Sequence, residues 1–283
     1  TMFIGQCIMW IYVDKSTFSF KSINKLKLGR HMMPILALFI PQVATQIYTV
    51  LDKTMLGIFS ATVEVGYYDQ SQKIVRILLT IITSLGMVMM PRIASLTSKK
   101  QHDLVKDTLK KSFTVISFLA VPIAFGIMGV SDRFIPMFFG YEYLSVIPLL
   151  KISSILTIII GLGNVFGTQY MIAVGKNKEY TISVCAGAAV NFILNLILIS
   201  KYSALGAVIA TVSAELSIAL IQLWYSREIL DISWIKETYK YWISGIAMFI
   251  IVSIIGKGTE RNIILLAKQI IIGVVVYFGF LVI

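Results

Sequence analysis

Eight apolar stretches, each about 20 residues long, follow one another through most of this 283-residue chain. That length is what an α-helix needs to cross a hydrocarbon layer about 30 Å thick. The stretches cover residues 32–51, 74–96, 113–130, 146–171, 180–199, 204–225, 241–255 and 263–283. Their repetition predicts an all-α fold, a polytopic bundle of transmembrane helices.

The composition supports the same class. Apolar residues make up 57% of the chain and charged residues 14%, a balance that suits a surface facing lipid better than one facing water. A water-soluble globular domain of this size is therefore excluded.

The first 31 residues differ from the rest. Residues 1–13 are apolar but too short to span, and they lack the basic start and small-residue cleavage site of a signal peptide. We interpret them as the end of a truncated transmembrane helix, which makes the chain a C-terminal fragment. We interpret residues 14–31 as a basic cytoplasmic linker. The alternative is that the segment KSINKLKLGRH, residues 21–31, lies on an anionic membrane surface.

Basic residues predict the orientation of the chain, because cytoplasmic loops carry an excess of Lys and Arg. The loops within 14–31, 98–111, 175–179 and 226–240 hold fifteen of the 25 basic residues. The alternate loops hold six, and four lie within spans or at their ends. The six are Lys53, Lys73, Arg133, Lys201, Lys257 and Arg261. We expect the first set of loops and the C-terminus to be cytoplasmic, so the net charge of +11 reflects topology and implies no nucleic-acid partner.

Several chemistries lack their sequence signatures. Neither Cys7 nor Cys185 has a CxxC partner, and His31 and His102 have no neighbours at metal-ligand spacing. The chain holds no GxxxxGK[ST] motif and no nucleophile, histidine and carboxylate at a common depth. We expect no metal, no cofactor and no enzyme activity; the alternative is an intramembrane transferase.

Charged residues inside the predicted spans are the functional candidates, because each is costly in lipid unless it faces an interior cavity. The substrate-binding candidates are the cations Arg76, Lys151, Lys53, Arg92 and Lys268. We expect Asp52, Lys53 and Arg76 to meet on one side of a cavity, because the first two close one span and Arg76 opens the next. The alternative for Arg76 and Lys268 is that their side chains reach out to the lipid head groups.

Glu215, Asp52 and Lys151 each have a further interpretation. Glu215 is the one carboxylate near the middle of a span, where it serves as a proton or sodium coupling group or as an ion-pair partner for an embedded cation. For Asp52 the same two roles are considered, a coupling group or an ion-pair partner. Lys151 follows Pro148, and a cation beside an interrupted helical turn suits an anionic ligand.

Four segments in order resemble a family. GNVFGTQYMIAVGKNKEYTISVCAGAAVNFILNLILISKYSALGAVIATVSAEL, residues 163–216, is similar to a block of bacterial polysaccharide repeat-unit flippases of the Wzx type, which serve O-antigen, capsule and exopolysaccharide synthesis. The other matching segments are YTVLDKTMLG with GYYDQSQKI (48–57 and 66–74), MMPRIASL (89–96) and DRFIPMFFGYEYLSVIPLLKI (132–152). This family belongs to the MOP exporter superfamily, together with MATE drug exporters and lipid II flippases.

The resemblance implies a fold, a cargo and partners. Residues 32–225 would form the six-helix C-terminal lobe of a MATE-like fold, residues 226–283 an added two-helix terminal pair, and a missing N-terminal six-helix lobe would complete the protein. The cargo would be an undecaprenyl-pyrophosphate-linked oligosaccharide, moved by alternating access and driven by an H⁺ or Na⁺ gradient. A pyrophosphate cargo would explain why Arg76 and Lys151 are cationic.

Two other functions stay open on the sequence. A membrane-embedded polysaccharide polymerase would be expected to carry a large outer loop with polar catalytic groups, whereas the longest outer loop here is only about 53–72. A MATE-type drug exporter shares the fold but would favour an acidic cavity for cationic drugs. Embedded cations outnumber embedded acids here, which favours an anionic cargo.

Overall fold

The computed structural model describes residues 29–256 and 262–282, and within them all regular structure is helical. The predicted truncated helix at 1–13 and residues 14–28 of the predicted linker lie outside the described residues. The helices are α1 (Gly29–Phe59), α2 (Thr62–Ser98), α3 (His102–Phe138), α4 (Val146–Ser153), α5 (Leu156–Asn164), α6 (Asn177–Tyr225), α7 (Ile232–Ile255) and α8 (Ile263–Val282). A 3₁₀ turn at Tyr141–Tyr143 precedes α4, and a π-helical segment at Val165–Ile172 follows α5.

The chain divides into two compact units, Thr1–Phe39 and Ile40–Ile283. The described part of the first unit is the beginning of α1. The second unit contains the rest of α1 and all the other described helices.

Six helical segments in the described residues are long and apolar enough to cross a membrane. They are Thr62–Ser98, His102–Phe138, Val146–Ile172, Asn177–Tyr225, Ile232–Ile255 and Ile263–Leu281. Helix α1, which contains the predicted span 32–51, is not among the six, and α6 contains two predicted spans. The prediction of an all-α, multi-pass membrane protein is confirmed.

Helix α6 is a hairpin. Its 49 residues are interrupted at Ser203, whose φ of 50° and ψ of −129° are not helical. Gln222 Nε2 donates to Ser183 Oγ at 3.2 Å, and a Cβ on Gly187 would meet the Ile218 side chain at 2.2 Å, so residues on either side of Ser203 pack together. The arms 177–202 and 204–225 are therefore antiparallel, and we call them the first and second arm.

The bundle has a packed interior and an apolar outside. The largest buried cluster joins α2, α3 and the π-helical segment around residues such as Ile82, Ile116 and Met171, all with no exposed area. Outward-facing apolar side chains are common, with Ile77, Met87 and Val88 about 70% exposed. Such a surface suits lipid, where exposed apolar side chains cost nothing.

Helices α7 and α8 form a pair that packs along α3. A Cβ on Gly245 of α7 would lie 2.6 Å from Val121 Cγ1 of α3, so glycine is required for this close approach. Tyr277 of α8 donates its hydroxyl to the carbonyl of Phe118 at 2.9 Å. The terminal pair is thus joined to the rest of the unit by tight packing as well as by a hydrogen bond.

One basic residue lies elsewhere than expected. Arg133 was counted among the outer loops, but helix α3 continues past it to Phe138 and its side chain is only 4% exposed. Its Nη1 lies 3.5 Å from Gln269 Oε1, and Gln269 Nε2 donates to the carbonyls of Gly129 and Val252. The expectation failed because Ser131, Asp132 and Arg133 look like a loop, although the apolar run resumes directly after them.

Candidate functional site

Polar side chains line a cleft of 220 Å³ between α1, α2, the start of α5 and the second arm of α6. We call it the Asp52 cleft. Its lining residues are Thr45, Gln46, Tyr48, Thr49, Asp52, Tyr68, Gln72, Val75, Arg76, Leu79, Leu156, Ile160, Thr211 and Glu215. Three of the sequence-predicted site residues, Asp52, Arg76 and Glu215, therefore share one cavity.

Asp52 is the most heavily hydrogen-bonded group in this cleft. The Tyr68 hydroxyl at 2.7 Å and the Thr211 hydroxyl at 3.0 Å both donate to Asp52 Oδ2, and Asn195 Nδ2 donates to Oδ1 at 2.6 Å. The Asp52 side chain is 1% exposed. Four helical segments, α1, α2 and the two arms of α6, thus contribute to one buried, hydrogen-bonded carboxylate.

The Asp52 cluster, defined as Asp52, Tyr68, Asn191, Asn195 and Thr211, leaves two buried amide atoms without a partner. Asn195 Oδ1 and Asn191 Nδ2 are buried and form no hydrogen bond within the described residues. Because amide oxygen and nitrogen can exchange places by rotation, Asn195 can also present its oxygen to the carboxylate when a cation lies between them. Carboxylate, amide and hydroxyl oxygens together are a ligand set for a hard cation.

Transition-metal chemistry is not what this cluster offers. Across 29–256 and 262–282, no three His, Cys, Asp or Glu side chains converge on one point. The possible oxygen ligands belong to Asp52, Asn195 and Thr211, and of these only Asp52 is a carboxylate. A single negative charge matches a monovalent cation better than a divalent one.

Glu215 lies one helical turn beyond Thr211 on the second arm. Tyr48 of α1 donates its hydroxyl to Glu215 Oε1 at 2.7 Å. Within the part of the chain that the structure describes, no Lys or Arg nitrogen is within 4.0 Å of Glu215. The ion-pair alternative for Glu215 is therefore not seen there, and its partner is a tyrosine.

The cationic candidates separate into one that lines the cleft and four that do not. Arg76 lies at the edge of the Asp52 cleft with its side chain exposed. Lys53 does not join Asp52 and Arg76, because its ammonium group pairs with Asp69, which also binds Lys73 at 2.7 Å. The cleft therefore contains Asp52 and Arg76 as expected, with Glu215 in place of the expected Lys53.

Lys151 is engaged by a carboxylate. Its Nζ contacts both oxygens of Asp132, at 2.8 and 2.7 Å, and this pair joins the last turn of α4 to α3. An anionic ligand would have to displace Asp132 to bind Lys151. Arg92 on α2 and Lys268 on α8 are exposed and line none of the clefts described here.

A second polar cleft, of 290 Å³, adjoins the first. We call it the Gln222 cleft. Its lining residues are Thr45, Tyr48, Ile159, Ile160, Gly163, Asn164, Thr168, Tyr180, Val184, Glu215, Ile218, Ala219 and Gln222. A separate groove of 420 Å³ between α3, α7 and α8 is almost wholly apolar.

Ion pairs cluster at one end of the bundle, where the turns at 99–101, 173–176 and 226–231 lie; we call it the basic end. Lys106 pairs with Asp231, Lys110 with Glu237, and Lys176 with Glu228. Hydrogen bonds from the Lys176 ammonium and from the Tyr170 hydroxyl lower the pKa of Glu228. These pairs connect α7 and its preceding turn to the rest of the unit.

Sequence reasoning missed the uncharged members of the site. Tyr48, Tyr68, Asn191, Asn195 and Thr211 supply most of the hydrogen bonds around the two carboxylates. A usable signal was present for the two asparagines, which stand four residues apart in the otherwise apolar run NFILN and so share one helix face. Counting only charges inside spans overlooked it.

A family model described as "Polysaccharide biosynthesis protein" matches residues 2–148. Among curated relatives, the "Probable low-salt glycan biosynthesis flippase Agl15" of Haloferax volcanii is 25% identical over 171 residues, which is 58% of this chain and 34% of the relative. The "Putative O-antigen transporter" of Escherichia coli strain K12 is 23% identical over 218 residues, covering 76% of this chain and 51% of the relative. The chain thus spans about a third to a half of the length of these relatives.

Solved structures of low sequence identity share the fold. A lipid II flippase MurJ in an inward closed conformation superposes with a TM-score of 0.73 at 20% identity, covering 92% of this chain and 57% of that one. An outward-facing MATE family multidrug resistance transporter of the MOP superfamily gives a TM-score of 0.59 at 15% identity, covering 87% of this chain and 62% of that one. The fold is that of MurJ- and MATE-like transporters.

Proposed function

The chain belongs to the polysaccharide biosynthesis protein family, and from that premise we propose that it is part of a flippase for lipid-linked glycan precursors. The family match over residues 2–148 carries this proposal. Two relatives, a probable glycan biosynthesis flippase and a putative O-antigen transporter, support the same cargo class. The cargo we propose is an oligosaccharide repeat unit linked to undecaprenyl pyrophosphate.

Arg76 is our candidate for the cargo's pyrophosphate. It is the one predicted cation that lines the Asp52 cleft, and no carboxylate within the described residues lies within 4.0 Å of it. A guanidinium group binds phosphate oxygens through paired hydrogen bonds, so an anionic cargo would gain more there than at Lys53 or Lys151. Those two lysines are each already paired with an aspartate.

Asp52 and Glu215 are our candidates for coupling to a cation gradient. Both carboxylates line one cleft, and neither has a Lys or Arg nitrogen within 4.0 Å among the described residues. Two ionised carboxylates in one poorly hydrated cleft repel each other, so binding of H⁺ or Na⁺ is favourable there. Release of that cation on the other side of the membrane would supply energy for alternating access.

We place the protein in a bacterial cytoplasmic membrane with the basic end inside. The excess of Lys and Arg at that end supports this orientation. A further six-helix lobe is the proposed partner, because the relatives are about two to three times as long as the matched part of this chain. The cargo would cross between that lobe and this one.

The test is export of surface polysaccharide in cells that express the full-length protein with Arg76→Ala. We expect loss of surface polysaccharide and accumulation of the lipid-linked repeat unit on the cytoplasmic side. Lys73→Ala is the matched control, since Lys73 lies on the same helix one turn earlier, is exposed and does not line the cleft. Protein amounts in the membrane must be equal.

The outcomes separate this function from its alternatives. Unchanged export in Arg76→Ala would contradict the role of Arg76 in cargo binding. Short glycan chains at the surface would instead favour a polymerase. Sensitivity to cationic drugs, with normal polysaccharide, would favour a MATE-type drug exporter.

A further inference from the structure

The Asp52 cleft and the Gln222 cleft meet at one hydrogen bond. Thr45, Tyr48, Ile160 and Glu215 line both cavities. Among these four, Tyr48 and Glu215 are bonded to each other across the boundary, from α1 to the second arm of α6. The two clefts are therefore neighbouring parts of one polar path, with the Tyr48–Glu215 contact between them.

The helix register places the two clefts one above the other. On α1 and the second arm, Asp52 bonds Thr211 and Tyr48 bonds Glu215, so the two helices run antiparallel with matched one-turn steps. From Thr211 to Gln222 the second arm advances about 16 Å at 1.5 Å per residue. The path thus runs along the helix axes and ends near Gln222, three residues before α6 ends at the basic end.

Titratable groups from several helices face Glu215. Helix α1 contributes the Tyr48 hydroxyl and, one turn away, the Asp52 carboxylate. Helix α2 contributes Tyr68 and Arg76 to the Asp52 cleft, and the first arm contributes Tyr180 to the Gln222 cleft. Among the described residues, Glu215 has one side-chain hydrogen-bond partner, Tyr48, whereas Asp52 has three. A carboxyl group whose partner is a phenol is suited to carry a proton.

We propose that Glu215 is a proton-binding site separate from the Asp52 cluster, and that Tyr48 is the gate through which its proton passes to the Gln222 cleft and the basic end. This inference rests on the proposed cation-coupled flippase. It adds a route for the proton through the interior of this lobe, distinct from the route of the cargo. The Asp52 cluster is left free to hold Na⁺ or to remain hydrogen-bonded.

The proton transfer balances without any further reactant. Protonated Glu215 loses its carboxyl proton to water in the Gln222 cleft, which becomes hydronium, and the resulting carboxylate accepts the Tyr48 hydroxyl as in the present structure. A hydronium ion in the Asp52 cleft then gives its proton to the carboxylate, which leaves water and restores the acid. Glu215 and Tyr48 line both clefts, so the hydrogen bond that Tyr48 donates to the ionised Glu215 is the contact that we assign as the gate.

Cargo-independent proton flux tests the gate. The full-length protein is reconstituted in liposomes with an internal pH-sensitive dye and a fixed membrane potential, without cargo. Tyr48→Phe removes the hydroxyl and should raise the proton flux severalfold over the original protein. The double variant Tyr48→Phe with Glu215→Gln should return to the original flux, because the proton-carrying group is gone.

Tyr277→Phe is the matched control. It also removes a tyrosine hydroxyl that is bonded inside the bundle, but Tyr277 is on α8 and lines neither cleft, so the flux should equal that of the original protein. An unchanged flux in Tyr48→Phe would overturn the proposal, as would a leak that persists in the double variant. These fluxes need no cargo, so a failure of the flippase assignment would appear separately, as normal polysaccharide export in cells without the protein.

A second measurement covers the case in which Tyr48→Phe does not fold. Glu215→Gln alone is close in shape to the original side chain and should abolish proton uptake that accompanies cargo movement. Proton uptake equal to that of the original protein would overturn the proposal by itself.

Discussion

Asp52 is the residue on which the polar interior of this lobe depends. Its carboxylate accepts hydrogen bonds from Tyr68, Asn195 and Thr211, which come from three different helical segments. Burial inside a membrane protein disfavours a charged carboxylate, the three hydrogen bonds oppose that effect, and a bound cation would oppose it further. Substitution of Asp52 therefore tests whether the cleft binds a cation.

The first prediction concerns sodium binding by Asp52. Replacing choline with Na⁺ should raise the apparent melting temperature of the full-length protein in detergent, because a ligand that binds the folded state stabilises it by about 2.7 kcal/mol at 100 times its dissociation constant. Asp52→Asn should abolish this shift. Asp69→Asn, which alters an aspartate outside the cleft, should keep it. An equal shift in both variants would contradict sodium binding at Asp52.

At the residue scale, the charged members of the site were identified from the sequence and the uncharged polar members were not. Asp52, Arg76 and Glu215 stood out because charged side chains are rare in apolar spans, and they do share a cleft. Lys53 follows Asp52 directly, yet one step along a helix turns a side chain by about 100°, and it faces Asp69 instead. Tyr48 and Tyr68 could not be singled out, because tyrosine is common in membrane helices for reasons other than hydrogen bonding.

Helices in this protein are longer than the apolar runs that predict them. Spans were expected at 74–96 and 113–130, but α2 and α3 each have 37 residues, because polar residues at their ends continue the helical hydrogen bonding. The break between 199 and 204 was anticipated from length alone and falls at Ser203. The same extension of α3 buries Arg133, which no count of loop charges could reveal.

The second prediction tests how α7 is attached to α3. Gly245→Val should destabilise the protein by about 1–3 kcal/mol, because the new side chain must occupy the space of Val121 and Phe125. Amide hydrogens of α7 should exchange faster with solvent. Gly279→Val on α8 is the control, since a Cβ there would meet no atom within 4 Å. Equal stability of the two variants would show that the α3–α7 contact is looser than described.

The third prediction concerns the ion pair between Lys176 and Glu228 at the basic end. Because Lys176 and Tyr170 lower the pKa of Glu228 in the folded protein, the pair stabilises the fold above the ordinary pKa of about 4.5, and that stability is lost as pH falls through the lowered value. Glu228→Gln should therefore lower stability at neutral pH by less than about 1 kcal/mol, since the pair is largely exposed. The difference from the original protein should vanish in strong acid; a constant difference across pH would exclude the ion pair as its cause.

At the scale of the whole molecule, the described unit is one half of a proposed transport pathway. Its polar clefts lie within the lobe, whereas a cavity for a lipid-linked oligosaccharide would lie between two lobes. The chain covers 57% and 62% of the MurJ and MATE chains whose fold it shares. Cation sites inside one lobe and a cargo site between lobes would then be coupled through helix movements.

The fourth prediction follows from this division. The 283-residue chain by itself, reconstituted in liposomes, should not move lipid-linked oligosaccharide between leaflets, because half of the cargo cavity would be absent. Co-expression with the proposed first lobe should restore movement. Transport by the isolated chain would refute the two-lobe cavity.

The most direct measurement of the central claim is transbilayer movement of an undecaprenyl-pyrophosphate-linked oligosaccharide in liposomes that contain the full-length protein. We predict that an imposed H⁺ or Na⁺ gradient accelerates movement of the oligosaccharide, that Arg76→Ala abolishes it and that Lys73→Ala retains it. Movement no faster than in protein-free liposomes, or elongation of the glycan without movement, would contradict it.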